Sequence, residues 1–327
     1  MYQNKFHTED ITKLSFLITG GAGFIGSNLV EYLLNHKAGK VRVLDNLATG
    51  SEENIREFFN HPSFEYIEGD IRDLETCREA MSGIDFVSHQ AALGSVPRSL
   101  DDPLTSHEVN VTGFVNMLIA QKESSTVKRM VYAASSSTYG DSLELPKVED
   151  RIGNPLSPYA VTKLANEIYS DVFCRSYGIE TVGLRYFNVF GPKQSPDGPY
   201  AAVIPLFMQA LKDNVPPTIH GDGDQTRDFT FVENAVQANI RAFFAGPEAA
   251  NQVYNVACGQ RISLNELWEQ LQQLAGIQLK AHHGPARKGD VRDSLAQIDK
   301  AKKYLNYNNL ISCDLGLQIT WDHFYQD

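Results

Sequence analysis

Tyr159 and Lys163 stand four residues apart in Tyr159-Ala160-Val161-Thr162-Lys163, and a serine run, Ser135-Ser136-Ser137, lies upstream. Residues at i and i+4 share a helix face, so a helix here points a phenol and an ammonium the same way. A phenol titrates near pH ~10 and is a poor base at neutrality; a nearby cation lowers that value by stabilising the phenolate. Beside a nicotinamide, such a pair is the acid/base for moving a hydride to or from a carbinol carbon. The pattern Tyr-x-x-x-Lys alone occurs by chance in many chains, so its meaning depends on the elements that position it.

The first of those elements is a glycine loop. An apolar run, Leu14 to Thr19, leads into Gly20-Gly21-Ala22-Gly23-Phe24-Ile25-Gly26, and a helical pattern follows directly. Glycines at this spacing permit a tight turn, a close approach of backbone to a pyrophosphate and close helix packing, while the helix N-terminus attracts negative charge. Asp45 ends the next apolar run, 19 residues past Gly26 (45 − 26). A carboxylate there accepts the adenosine ribose hydroxyls and repels a 2′-phosphate, so NAD is favoured over NADP. Arg42, three positions earlier on the same strand, faces the opposite side.

The chain has 327 residues, 42% of them hydrophobic, and a formal net charge of −11. That is enough for one large domain or two smaller ones. The acidic balance argues against a general nucleic-acid binder and is compatible with one anionic small molecule held by a few arginines. Cys77, Cys174, Cys258 and Cys313 are widely spaced, which reads as ordinary thiols in a reducing compartment. His282-His283 lacks a third ligand at helical or turn spacing, so it reads as a solvated loop and no metal is expected. No apolar run has transmembrane length, and Met1 to Lys13 is too polar for a signal peptide. The expected location is cytoplasmic, with no membrane partner.

Leu14 to Thr19, Val41 to Asp45, Phe64 to Glu68, Phe86 to Gln90, Arg129 to Ala134 and Thr181 to Phe187 have strand patterns. Helical patterns fall between them at Phe24 to Asn35, Glu52 to Phe59, Leu74 to Met81, Pro103 to Lys122 and Pro158 to Tyr177. This alternation predicts an α/β fold: a doubly wound, mostly parallel sheet of Rossmann type, with a smaller mixed α/β C-terminal substrate-binding region. Beyond Asn188 the alternation loosens, with later elements at Pro205 to Leu211, Val232 to Phe244, Val253 to Ala257, Leu264 to Ala275 and Leu295 to Tyr304. The expected division gives 1–187, with returning segments 230–258, to the cofactor domain, and 188–229 with 259–327 to the substrate domain. The first dozen residues add a helix or an arm.

The glycine loop, Asp45-Asn46-Leu47, Gly69-Asp70-Ile71, the stretch Ser135 to Gly140, Tyr159 to Lys163 and the stretch Arg185 to Pro192 together resemble the extended short-chain dehydrogenase/reductases that act on nucleotide sugars. The likeness spans nearly the whole chain. His89 to Ser99 and Gly289 to Ser294 are similar to the UDP-N-acetylhexosamine 4-epimerases of bacterial surface-polysaccharide pathways. The resemblance implies that Gly20, Gly23, Phe24, Ile25 and Gly26 cradle the NAD pyrophosphate, and that Asp45 and Asn46 bind its adenosine. It places Asp70 and Ile71 at the adenine, puts Gln90, Ala91 and Ala92 along the cofactor, and has Lys163 hold the nicotinamide ribose. It also implies a homodimer built on the helices near Pro103 to Lys122 and Pro158 to Tyr177.

By the same likeness, Tyr159 removes the C4 hydroxyl proton of the sugar while a hydride leaves C4, and Ser135 hydrogen-bonds the same oxygen. The 4-keto sugar then turns and takes the hydride back on its other face. Nucleotide-sugar dehydratases of this superfamily carry an Asp-Glu pair where this chain has Ser136 and Ser137. A hydroxyl has no pKa suited to removing a C5 proton, so these supporting serines favour epimerisation over dehydration. Arginine's forked donors suit a UDP diphosphate, which makes Arg227 and Arg292 candidates. The resemblance adds Asn188 at the diphosphate, Asp290 at the uridine, and Gly94, Ser95 and Arg261 around an N-acetyl group. Ser294 stands where enteric glucose/galactose epimerases carry a bulky tyrosine, so it leaves room for an acetamido group. The expected reaction is 4-epimerisation of UDP-N-acetylglucosamine to UDP-N-acetylgalactosamine. The alternatives are the corresponding uronate, UDP-glucose, a dehydratase, and a non-catalytic protein that binds NAD or nucleotide sugars. The uronate would want an additional cation near C6, and the sequence identifies none.

Overall fold

Short β-rich runs between helical stretches build one sheet of β1 (Ser15–Thr19), β2 (Lys40–Asp45), β3 (Phe64–Glu68), β4 (Phe86–His89), β5 (Arg129–Ser135), β6 (Thr181–Tyr186) and β7 (Gln252–Val256). This computed structural model describes residues 1–197, 200–286 and 291–326. The strand order is β7-β6-β5-β4-β1-β2-β3, and every neighbouring pair is parallel. Parallel strands need crossovers, and the helices supply them. They are α1 (Phe24–Asn35), α2 (Leu74–Met81), α3 (Val96–Asp101), α4 (Pro103–His107), α5 (Gly113–Glu123), α6 (Pro158–Tyr177), α7 (Val203–Lys212), α8 (Val232–Phe244), α9 (Leu264–Ala275), α10 (Asp299–Leu305) and α11 (Cys313–Gln326). The expected doubly wound α/β architecture is the one observed.

Alternation along the strands divides the core between the two faces. Phe16 and Ile18 of β1 and Val131 of β5 join the cluster with Leu29, Leu33 and Val236 of α1 and α8. Leu17 of β1 and Met130 and Tyr132 of β5 pack on the other face with Cys77, Phe114 and Met117 of α2 and α5. A separate core of Phe207, Phe231, Trp268 and Leu317 lies among α7, α9 and α11. Cys77, Cys174 and Cys313 are buried, Cys258 is half-buried, and all are free thiols. Among the described residues, no helix is long and apolar enough to cross a membrane.

Several local expectations give way to tertiary context. Glu52 to Phe59 is not a helix but two short 3₁₀ turns, Glu52–Asn54 and Arg56–Phe58. Ser51 caps the first, and Ile55 and Phe58 are buried beneath the pair. The Pro103 to Lys122 stretch is broken: α4 passes through a π-helical segment, Glu108–Thr112, before α5. Leu295 to Tyr304 is helical only from Asp299. His282 and His283 lie not in a loop but in a strand paired in parallel with Thr218–His220. The first dozen residues form an arm rather than a helix. Tyr2, Phe6, His7 and Ile11 are buried, and Phe6 stacks on Tyr32 at 5.2 Å between ring centroids.

The floor under β5 and β6 is polar and closed. Arg185 forks onto Glu167 at 2.8 and 2.7 Å, donates to the Glu149 carbonyl at 2.9 Å, and lies 4.9 Å over the Tyr139 ring. Both partners of the ion pair are more than nine-tenths buried. Removing one side of such a pair strands the other charge. Arg185→Met is expected to lower unfolding stability by about 3–5 kcal/mol, measured by chemical denaturation followed by far-UV circular dichroism.

Candidate active site

The carboxyl ends of parallel strands converge on one edge, and where the order reverses, between β1 and β4, their loops part to leave a crevice. A cavity of about 640 Å³ occupies it. Its walls include every residue expected at the cofactor: Gly20, Gly23, Phe24, Ile25, Gly26, Asp45, Asn46, Asp70, Ile71, Gln90, Ala91, Ala92, Tyr159 and Lys163. Gly94, Ser135, Ser136 and Asn188 line it as well.

Gly20 has φ +68°, a left-handed turn that suits glycine, and a Cβ on Gly26 would collide with the Gly20 carbonyl oxygen. The chain therefore enters α1 with its backbone open to the cavity. Gly23 is the N-cap, with no side-chain cap and no acidic residue in the first turn, so the first N–H groups remain available for an anion. Asp45 is buried beneath this turn and accepts from the N–H groups of Ala22 and Leu47 at 2.9 and 2.8 Å. Burial raises its pKa, and those backbone donors pull it back. Each oxygen keeps acceptor capacity for a ribose hydroxyl. Arg42 sits on the opposite face, bonded to Glu65 and to the Ala80 and Ser82 carbonyls. Asn46 donates to Asp70 at 3.0 Å, and hydrogen bonds from Arg72 lower the Asp70 pKa. This donor and acceptor set fits a dinucleotide.

Ser157 caps α6, Pro158 opens it, and the Tyr159 N–H donates to the buried Ser99 hydroxyl at 3.0 Å. Asn110, inside the π segment, binds both backbone groups of Leu93 and donates to Thr162, so one side chain ties the loop after β4 to α6. Such bulges recur at functional sites, and an Asn in an apolar helix was the available sequence signal. Lys163 is buried and donates to the Ala133 carbonyl at 2.8 Å. Its ammonium lies 6.0 Å from the centre of the Tyr159 ring. Burial raises the Tyr159 pKa, and a hydrogen bond with Ser135 partly offsets the rise. In the ligand-free chain desolvation is the larger influence on the phenol. Ser135, at the end of β5, accepts from the N–H and hydroxyl of Ser137 at 3.1 and 2.9 Å.

Two further cavities adjoin the first, and Asn188, at φ +37°, lines all of them. A chamber of about 160 Å³ holds Ser135, Ser136, Ser137, Lys147, Arg227, Asp293 and Ser294. A cavity of about 460 Å³ continues past Arg227 between Phe190, Phe207 and Phe229. Other candidates are placed elsewhere. The Arg292 guanidinium is exposed and pairs with Asp222 at 3.1 Å, so a carboxylate holds it away from these walls. Arg261 lies 3.8 Å from Asp293, on the rim. Ser95, strained at φ +112°, uses its hydroxyl to cap α3 at the Arg98 N–H. Asp290 lies outside the described residues. The sequence reading missed Lys147, Arg98 and Gln194; Arg98 stands within the His89 to Ser99 motif, whereas Lys147 carries no motif of its own.

Desolvation alone pulls the Lys163 pKa from 10.5 down to about 8. The ammonium form is penalised in the folded chain, so stability present above the unfolded value is lost as pH falls through about 8. The melting temperature of Lys163→Met minus that of wild type is therefore expected to be more positive at about pH 7 than at about pH 10. Thermal scans of ligand-free protein at both pH values measure it, and a pH-independent difference would contradict it.

Residues 16–257 match the NAD-dependent epimerase/dehydratase family. A UDP-glucose 4-epimerase of Mycolicibacterium smegmatis is 35% identical over 309 residues, covering 94% of this chain and 97% of that protein. A UDP-N-acetylglucosamine 4-epimerase of Methanobrevibacter ruminantium, solved with UDP-N-acetylmuramic acid, superposes with a TM-score of 0.90 at 35% identity, covering 96% and 99% of the two chains. The Thermus thermophilus UDP-glucose 4-epimerase, solved with NAD, gives 0.85 at 34% identity, covering 95% and 99%. With these matches over nearly its whole length, the chain belongs to the NAD-dependent epimerase/dehydratase family, its relatives are UDP-sugar 4-epimerases, and its cofactor is NAD.

Proposed function

We propose that the protein interconverts UDP-N-acetylglucosamine and UDP-N-acetylgalactosamine. The observation that carries this reading is the small chamber that opens from Ser135 and Ser136 toward Ser294. A serine hydroxymethyl at 294 leaves space beside the reacting sugar that a tyrosine ring would fill. Gly94, on the wall of the larger cavity, also meets nothing within 4 Å of an added Cβ. The division into a cofactor region and a substrate region, with 188–229 and 259–327 on the substrate side, belongs to the same proposal.

NAD, held by the glycine turn, Asp45 and Lys163, would supply a hydride acceptor at C4 of the sugar that is regenerated within the cycle, so none would be consumed. The rest of the chemistry falls to this chain. As phenolate, Tyr159 takes the proton of the C4 hydroxyl and becomes the phenol, then gives it back when the hydride returns; burial raises its pKa and so favours the phenol form in the free protein. Ser135 accepts two bonds from Ser137 and shares a hydrogen bond with Tyr159, so the proposed role of its single hydroxyl proton is to pass between the phenol and the C4 oxygen. Lys163, anchored on Ala133, presents its remaining donors to the cofactor ribose. Ser136 and Ser137 offer no carboxylate for C5 chemistry, which supports epimerisation. Arg227, lining both outer cavities, and Asn188 at their meeting point are the proposed diphosphate contacts. We also propose a homodimer, because α6 exposes Val161, Ile168, Tyr169 and Val172 along one side.

Incubation with UDP-N-acetylglucosamine is expected to yield the C4 epimer by NMR without added reductant. No product from that sugar, with good turnover of UDP-glucose, would remove the acetamido assignment. Tyr159→Phe is expected to lower kcat by about 10²–10⁴-fold. Unchanged turnover in that variant would instead favour a route that does not use the phenol.

A further inference from the structure

The arm ahead of β1 reaches the cofactor cavity through one buried hydroxyl. Tyr2 is 2% exposed and holds φ +59°, a left-handed backbone that a bulky residue adopts only where its surroundings fix it. Those surroundings include an edge contact with the Tyr32 ring, 6.0 Å between centroids, and the His36 Nε2, which lies 3.1 Å from the Tyr2 carbonyl oxygen. Phe6 and His7 continue the arm along α1: the Phe6 N–H donates to the Tyr32 hydroxyl at 2.7 Å, and the His7 Nδ1 lies 2.8 Å from that oxygen. The Tyr2 hydroxyl donates to the Asn28 Oδ1 at 2.5 Å. Burial, with Glu31 and Glu233 nearby, raises its pKa, so it stays a phenol and a donor.

Asn28 is fully buried and divides its amide between two parts of the chain. Its Nδ2 donates to the Phe24 carbonyl, in the first turn of α1, at 2.8 Å and to the Pro192 carbonyl at 3.1 Å. Phe24 lines the cofactor cavity, and so does Gln194, further along the same turn as Pro192. That turn is closed by the Gln194 N–H on the Gly191 carbonyl at 3.3 Å, and its Lys193 pairs with Glu31 of α1 at 3.0 Å. Two parts of the cavity wall are thus joined by one side chain. With both amide hydrogens of Asn28 spent on carbonyls, its oxygen needs a donor, and Tyr2 is the one it has among the described residues. Without that hydroxyl the buried oxygen is unsatisfied, and an amide that turns to find another donor gives up one of the two carbonyls.

We propose that Tyr2 is a positioning residue for NAD: acting through Asn28, it sets the first turn of α1 against the turn at 191–194, so that an arm outside the sheet helps hold the wall the dinucleotide meets. Tyr2 itself touches no reacting atom. This holds for NAD whichever UDP-sugar is taken.

The test follows release of NAD from loaded protein after dilution, in wild type, Tyr2→Phe and Phe6→Leu. Tyr2→Phe keeps the ring and removes only the hydroxyl; release is expected to quicken roughly fivefold or more, the loss of one buried hydrogen bond. Phe6→Leu loses the stack on Tyr32 and leaves Asn28 alone, so it is expected to lower the melting temperature with release unchanged. Unchanged release in Tyr2→Phe, or equal quickening in both variants, overturns the proposal. In an Asn28→Ala background, Tyr2→Phe is expected to change release no further, and an additive effect overturns transmission through Asn28. Should Asn28→Ala not fold, the comparison of Tyr2→Phe with Phe6→Leu decides alone. Absence of turnover with every UDP-sugar would sink the epimerase reading, while the release of NAD would still judge Tyr2.

Discussion

Parallel pairing throughout the seven-stranded sheet is the constraint on which the site depends. It sends every strand's carboxyl end to one edge, so Thr19, Asp45, His89, Ser135 and Tyr186 arrive side by side although they are far apart in sequence. The order reversal between β1 and β4 then opens that edge, because the chain leaves β1 toward one side and β4 toward the other. His89 shows how tightly the edge is closed below the ligand space. It is buried, its Nδ1 lies 2.8 Å from the Thr19 hydroxyl, and desolvation drives its pKa down to about 3. A neutral imidazole there joins two strand ends and adds no charge beneath Lys163.

A second set of buried polar bonds fixes the substrate-facing loops to that edge. Tyr139 donates to Asn255 on β7, whose own N–H donates to Glu149, and Arg185 joins Glu149 to Glu167 on α6. Asp228 gathers more distant chain: it accepts from the N–H groups of Cys258, Gly259 and Ala296. Burial raises its pKa to about 7 against the pull of those donors. A carboxylate that holds several loop segments at once places Arg227, next to it in sequence, at the mouth of two cavities. Loops with few apolar contacts are positioned here by satisfied hydrogen bonds, which fix direction more narrowly than packing does.

How much was legible in the sequence follows from how local each signal is. The strands β1 to β6 and the helices α1, α2 and α6 were visible because a period of 2 or 3.6 repeats within one short window. The glycine loop and Asp45 were visible because strand, turn and helix are contiguous. Short elements were not: the turns at Glu52 to Phe59 have a helical apolar spacing, and only their packing under α1's loop shows that no helix continues. The π segment at Glu108–Thr112 depends on Asn110 reaching two other elements, which no window contains. Arg292 and Lys147 make the same point in opposite directions. One sat in a motif and is held outward by Asp222, seventy positions away (292 − 222); the other had no motif and is turned inward by pairing with Leu295 and Gln297. Pairing across the fold decides both, by charge for Arg292 and by backbone hydrogen bonds for Lys147, and it is invisible until the fold brings the partners together.

Lys163 and Lys147 flank the Ser135 to Ser137 turn, one lining the cofactor cavity and one the small chamber. Both are almost fully buried, neither has an ion pair among the described residues, and burial lowers the pKa of each. In a chain of net charge −11, that places two positive charges beside the serine turn. Each ammonium is held by a single backbone carbonyl, Ala133 or Ser142, which orients it without neutralising it. A carboxylate partner would have made the folded chain more stable and the site electrically silent. The arrangement lowers stability in the free protein, a desolvation penalty built into the fold at both lysines. At both lysines burial is the largest influence on the ammonium, and a single carbonyl fixes where it points.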